Sequence, residues 1–196
     1  TPRDVIEGSL GCAEDNNVKI CIEVHSPFSL NSGWADGYMN MILKTGTKYF
    51  GFMPDWGIFA KRIPDVARDQ ARRMGAHEEC IKLVDDECEK RCQRGFVKIK
   101  YDLDLGKANM EFMKANGFFD MMDKIEKMNG NAADKAYAGD SFTYTWNDPQ
   151  DIIDNIQYIY HTHAKCYNTH EDYTETSIPI KEVIEAYKKA GYHGFV

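Results

Sequence analysis

Val18–Val24 reads VKICIEV, a dense β-branched run closed by His25-Ser26-Pro27. This predicts a strand buried on both faces, and Pro27, which cannot donate to a ladder, marks its end. Upstream, Thr1-Pro2 supplies an N-cap residue with proline at the first helical position, and Val5, Ile6, Leu10 and Ala13 form a helical stripe that stops at Asp15-Asn16-Asn17. A chain that alternates helix with buried strand in this way is constrained to an α/β architecture with parallel strands.

The rest of the chain continues the alternation. Ser32–Lys44 predicts a second helix capped by Gly46, and Tyr49–Met53 (YFGFM) a second buried strand broken by Pro54-Asp55. Ile63 to Asn129 reads as helical and charged, divided by Gly95, Gly106 and Gly117, and Asn129–Asp140 reads as a polar loop of small residues. Asp151–Asn155 predicts a helical turn, Ile156–Tyr160 (IQYIY) a third strand, Ile180–Ala190 an amphipathic helix, and Gly194–Val196 the start of a fourth strand. Glu23 and Asp55 stand 32 residues apart and His163 and Val196 stand 33 apart, close to the roughly 31 residues of one βα unit in a (β/α)₈ barrel. The interval from Asp55 to His163 is 108 residues and so carries a large insertion. The expectation is a single domain over residues 1–196, the C-terminal part of a (β/α)₈ TIM barrel, with a helical insertion over about 62–150 between two strands.

Several function classes are excluded at this level. Lys and Arg number 24 against 31 Asp and Glu, a net charge of −7 over 196 residues, which leaves no basic excess for a nucleic-acid backbone. No apolar run approaches the roughly 20 residues of a membrane helix, and Thr1–Asn17 has no apolar signal core. Six scattered cysteines (Cys12, Cys21, Cys80, Cys88, Cys92, Cys166) read as reduced thiols, which places the protein in the cytoplasm.

Chemistry-bearing side chains gather at the ends of the strand runs: Glu23 and His25 after the first, Asp55 after the second, His161 and His163 after the third. Residues i and i+2 share a strand face, so Glu23 projects with His25 and His161 with His163. Carboxylates and imidazoles converging from three strands are ligands for a divalent cation.

The segments CIEVHS (Cys21–Ser26), PDWGIF (Pro54–Phe59) and HTHAK (His161–Lys165) resemble the xylose-isomerase-like sugar isomerase and epimerase barrels. That resemblance implies a divalent ion, manganese-like, held by Glu23, Asp55 and His163, with a fourth, acidic ligand expected after Val196. His163 is taken over His161 as the second His of the H-x-H pattern. More narrowly, the three motifs and the acidic insertion resemble the alpha subunit of bacterial C-glycoside deglycosidases. This implies a carbon–carbon lyase that cleaves 3-oxo-C-glycosides carrying a flavonoid-type aglycone, in a hetero-oligomer with a small β-rich second subunit. In that chemistry His25 is the candidate base for the sugar C2 proton. Lys165 either stabilises the enolate oxygen or relays a proton, or is a solvated strand-end lysine. His161 and Trp56 are candidates to hold the substrate. A sugar isomerase or epimerase using the same metal set is the alternative, and a non-catalytic scaffold whose insertion binds a partner is a third class.

Other patterns read as structure. His77, Cys80, Cys88 and Cys92 contain no C-x-x-C pair and do not make a zinc motif. The Met and Phe residues between Met110 and Met128 read as helix core or a partner surface. The charge run Asp85-Asp86-Glu87 with Glu89-Lys90-Arg91 reads as a solvated helix face.

Overall fold

The computed structural model describes residues 1–97 and 105–196. Helix α1 (Pro2–Asp15) leads to strand β1 (Ile20–Val24), α2 (Gly33–Thr45) and strand β2 (Phe50–Pro54). Helices α3 (Asp65–Arg73), α4 (Glu78–Arg94), α5 (Leu105–Ala115), α6 (Phe118–Lys127), α7 (Ala132–Asp140), α8 (Gln150–Asn155) and α9 (Ile180–Lys189) follow. Local signals account for the first unit. The Thr1 hydroxyl accepts from the Asp4 N–H, and the Asp4 carboxylate returns the bond to the Thr1 backbone, a capping box at α1. Ser32 Oγ caps α2, and Gly46, in the left-handed region, closes it. The strands pair in parallel register from Ile20 opposite Phe50 to Val24 opposite Pro54.

Among the described residues the (β/α)₈ barrel expected from the spacing is not present. Among the described residues the sheet has two strands, and the bulk of the chain is helical. The third run begins as a 3₁₀ turn, Ile156–Tyr158, and then passes beside β2 with single parallel bridges at Phe52–Ile159 and Asp55–His163. From the first bridge to the second the sequence offset grows by one residue, so the extra residue breaks the ladder as a bulge does. The segment is held instead by separate bonds: Tyr160 N–H to Phe52 O (3.1 Å), His163 N–H to Pro54 O (3.0 Å) and Trp56 N–H to His163 O (3.0 Å). Gly51 permits this approach, since a Cβ there would lie 2.5 Å from the Tyr158 carbonyl oxygen. Gly194–Val196 forms no ladder, and Phe195 and Val196 are exposed. With β2 as its one ladder neighbour, β1 is only half-buried, short of the burial on both faces that its sequence predicts; β2 carries the buried Phe50 and Phe52.

Fully buried Val24, Phe50, Phe52, Ile58, Phe59, Ile152, Ile178 and Val183 join the strands to α8 and α9 in one core. Thr162 is the polar node of that core. Its hydroxyl donates to Pro54 O (2.9 Å) and accepts from Trp56 Nε1 (2.8 Å) and Tyr187 Oη (2.7 Å), which uses the full capacity of one hydroxyl.

The helical region differs from the sequence reading at two points: Gly106 lies within α5, and the stretch read as a loop over 129–140 holds α7. The helical reading of residues 98–104 lies outside the described residues. An Asn131–Asp134 capping box starts α7, with Asn131 Oδ1 accepting from Ala133 and Asp134 N–H, and Asp134 accepting from Asn131 N–H. The buried Asp134 carboxylate also takes the His77 N–H (2.7 Å) and faces His77 Nδ1 (2.8 Å), tying α7 to the start of α4. All six cysteines are free, and among the described residues no helix is long and apolar enough to cross a membrane.

Two stability predictions follow from these nodes. Burial alone would raise the Asp134 carboxyl, but the N–H groups of Asn131 and His77 and the His77 ring outweigh it and hold the acid below its usual range. Because the folded acid titrates below its unfolded counterpart, its contribution is complete above about pH 4 and is lost as pH falls through the folded value. Asp134→Ala should therefore cost about 1–3 kcal/mol in urea unfolding at pH 7, with the gap to the wild type narrowing toward pH 2; a gap that stays constant with pH contradicts the assignment. Thr162→Val keeps the shape but orphans the Trp56 and Tyr187 donors, and should cost about 2–4 kcal/mol with a shift in tryptophan emission.

Candidate metal centre

The parallel register carries β1 and β2 to the same end. Beyond it, Asp55 N–H bonds to Val24 O (3.1 Å) and Asp55 bridges His163. Strand alternation then sorts the side chains: Val24 and Thr162 turn into the core while Glu23 and His163 stay on the rim. One ligand atom each from Glu23, Asp55 and His163 falls within 4.8 Å of the others. His163 Nδ1 stands 3.1 Å from Glu23 Oε1, with both side chains a little over 40% exposed, and Asp55 is buried. Asp55 Oδ1 accepts the Gly57 N–H (2.7 Å), and Oδ2 faces Lys165 Nζ at 3.3 Å. Two carboxylates and one imidazole at this separation form an oxygen–nitrogen donor set that suits a divalent cation.

His25 and Lys165 adjoin the cluster. His25 Nδ1 lies 2.9 Å from the Ser26 carbonyl and Nε2 lies 3.3 Å from Lys165 Nζ. A carbonyl only accepts and an ammonium only donates, so these contacts match the tautomer with the ring proton on Nδ1 and with Nε2 accepting from Lys165.

The remaining candidates lie beneath and beside the cluster. Trp56 is buried, stacks on Tyr187 at 6.2 Å between centroids and gives its indole N–H to Thr162, so the ring faces the core. His161 meets His163 edge to face at 5.5 Å, with Nδ1 3.1 Å from Phe195 O, a position that braces the His163 ring. Sequence reasoning missed Thr162, which sits between the two histidines and locks their backbone. It also missed Gly57: a Cβ there would lie 2.7 Å from Asp55 Oδ1, 2.8 Å from Tyr167 Oη and 3.0 Å from Lys165 Cδ. The glycine two residues after Asp55 was the available signal. A second group, His77, Cys80 and Asp134, also converges within 4.8 Å, but the Asp134 oxygens there already serve the two helix starts.

No family model matches the chain. It is 23% identical over 193 residues to the 3'-dehydrocarminate deglycosidase alpha subunit of a Microbacterium species, covering 98% of this chain and 53% of that protein. It is 22% identical over 202 residues to the C-glycoside deglycosidase alpha subunit of Arthrobacter globiformis, covering 99% of this chain and 50% of that protein. The chain thus spans about half the length of these curated relatives, and among known proteins it is similar to the alpha subunits of C-glycoside deglycosidases.

Proposed function

We propose that Glu23, Asp55 and His163 hold a divalent metal ion, manganese-like, and that the chain is the catalytic part of a carbon–carbon lyase acting on 3-oxo-C-glycosides. The observation that carries this reading is the convergence of the three donors within 4.8 Å, with the His25 ring linked to them through Lys165. Similarity to two deglycosidase alpha subunits supports the substrate class. Their designation as alpha subunits supports assembly with a second subunit.

When bound, the ion supplies Lewis-acid polarisation of sugar oxygens. The protein groups do the rest. A ketone at sugar C3 acidifies the C2 proton, and His25 Nε2 takes that proton. The C2–H electron pair becomes the C1=C2 double bond, the C1–aryl pair departs on the aglycone carbon, and that carbon gains a proton. Lys165, 3.3 Å from both His25 Nε2 and Asp55 Oδ2, holds positive charge beside the base and beside the developing oxyanion.

The test uses the full-length protein with its second subunit, manganese and a 3-oxo-C-glycoside. The wild type should release free aglycone. Glu23→Gln should lower bound manganese and release together, whereas His25→Ala should keep manganese and lose about 10²–10⁴-fold in rate. Exchange of the C2 proton without aglycone release would instead identify a sugar isomerase or epimerase, and manganese binding unaffected by Glu23→Gln would remove the metal assignment.

A further inference from the structure

Tyr167 stands at the same rim and is used by none of the steps above. Its ring is partly buried, edge to face with Tyr144 at 5.8 Å, and Lys165 Nζ lies 5.3 Å from its centroid. Its hydroxyl comes so close to Gly57 that a Cβ there would meet it at 2.8 Å, alongside Asp55 Oδ1 at 2.7 Å and the Lys165 stem at 3.0 Å. A carboxylate oxygen, a phenol hydroxyl and the Lys165 stem therefore converge on the one residue of that turn that has no side chain. Among the described residues no hydrogen-bond partner answers the Tyr167 hydroxyl.

The Tyr167 hydroxyl is not among the sealed polar atoms that lack a partner, so a half-buried phenol here can exchange hydration for a ligand oxygen. It is a good binding element. A phenol carries its proton at neutral pH and can donate it in a hydrogen bond. Around it, Asp55 offers acceptors and Lys165 a charged donor already turned to Asp55 and His25. Tyr167 adds a neutral donor, the kind of group a sugar hydroxyl or carbonyl oxygen accepts from.

We infer that Tyr167 is a substrate-binding residue of this centre, whose hydroxyl donates to an oxygen of the sugar ring held beside Asp55 and Lys165. The inference rests on the sugar-binding reading above but not on the cleavage step. Gly57 is the positioning residue that lets the hydroxyl and the Asp55 carboxylate approach one another.

The test separates the two readings. The full-length, manganese-loaded complex is titrated by calorimetry with methyl 3-oxo-β-D-glucopyranoside, which has the sugar but no aryl aglycone. Tyr167→Phe should bind it about tenfold more weakly, with manganese affinity and melting temperature unchanged. Tyr144→Phe removes a hydroxyl from the neighbouring ring and should bind like the wild type. Equal affinity of Tyr167→Phe and wild type, an equal loss in Tyr144→Phe, or no binding by the wild type would each overturn the inference. Aglycone release from a 3-oxo-C-glycoside is scored separately. A wild type that binds the sugar but releases no aglycone, with the tenfold loss intact, leaves Tyr167 standing and removes the lyase reading; release with undiminished Tyr167→Phe affinity removes Tyr167 alone.

Discussion

The hydroxyl of Thr162 fastens a segment that no ladder holds. Residues 159–163 lie beside β2 with a slipped register, so continuous strand bonding is not available to them. In its place one fully buried oxygen donates to Pro54 and accepts from the indole of Trp56 and the phenol of Tyr187. Those three partners belong to the end of β2, to the turn after it and to α9. Because Thr162 is flanked by His161 and His163, fixing it fixes where both imidazoles emerge. The His163 ring then reaches Glu23, across the width of the small sheet. A buried hydroxyl with every valence used is costly to disturb, which is what a site assembled on an irregular segment requires.

The ends of the two real strands were legible because their signals were local. Dense β-branched and aromatic runs followed by Pro gave β1 and β2, and the carboxylates at their ends follow from position alone. The caps of α1 and α2 were legible for the same reason. The lack of a closed barrel was not legible, because an interval of about 32 residues describes any βαβ unit, in a closed cylinder or in an open layer, and periodicity carries no information on closure. Ile156–Tyr160 has strand propensity but starts as a 3₁₀ turn continuous with α8, a tertiary override of local preference. Helix α7 was hidden because its cap is Asn131 with Asp134, not the Ser/Thr with Glu that marks most capping boxes, and because small residues read as loop. Trp56 was placed by its neighbour Asp55, but in the 3₁₀ turn that follows β2 its ring points inward.

At the rim the charges are arranged so that two carboxylates can stand near each other. Asp55 spends one oxygen on the Gly57 N–H and turns the other to Lys165. Glu23 faces an imidazole. Asp55 is buried while Glu23 and His163 remain partly open, so one donor is rigid and two can adjust. That asymmetry fits a site that must accept a ligand of fixed shape while its own framework stays in place.

Alternation along the three segments separates chemistry from stability. Glu23, His25 and His163 occupy rim positions, and Val24 and Thr162, one residue away, are fully buried. The core is built from the residues between these rim positions, so the rim side chains carry little of the folding free energy. Asp55 is the exception, since its buried carboxylate also closes the turn at Gly57. Loss of Glu23 or His25 therefore leaves the scaffold intact. Loss of Asp55 disturbs the rim cluster and the turn together, which makes it the residue where the cluster and the fold beneath it are one physical object.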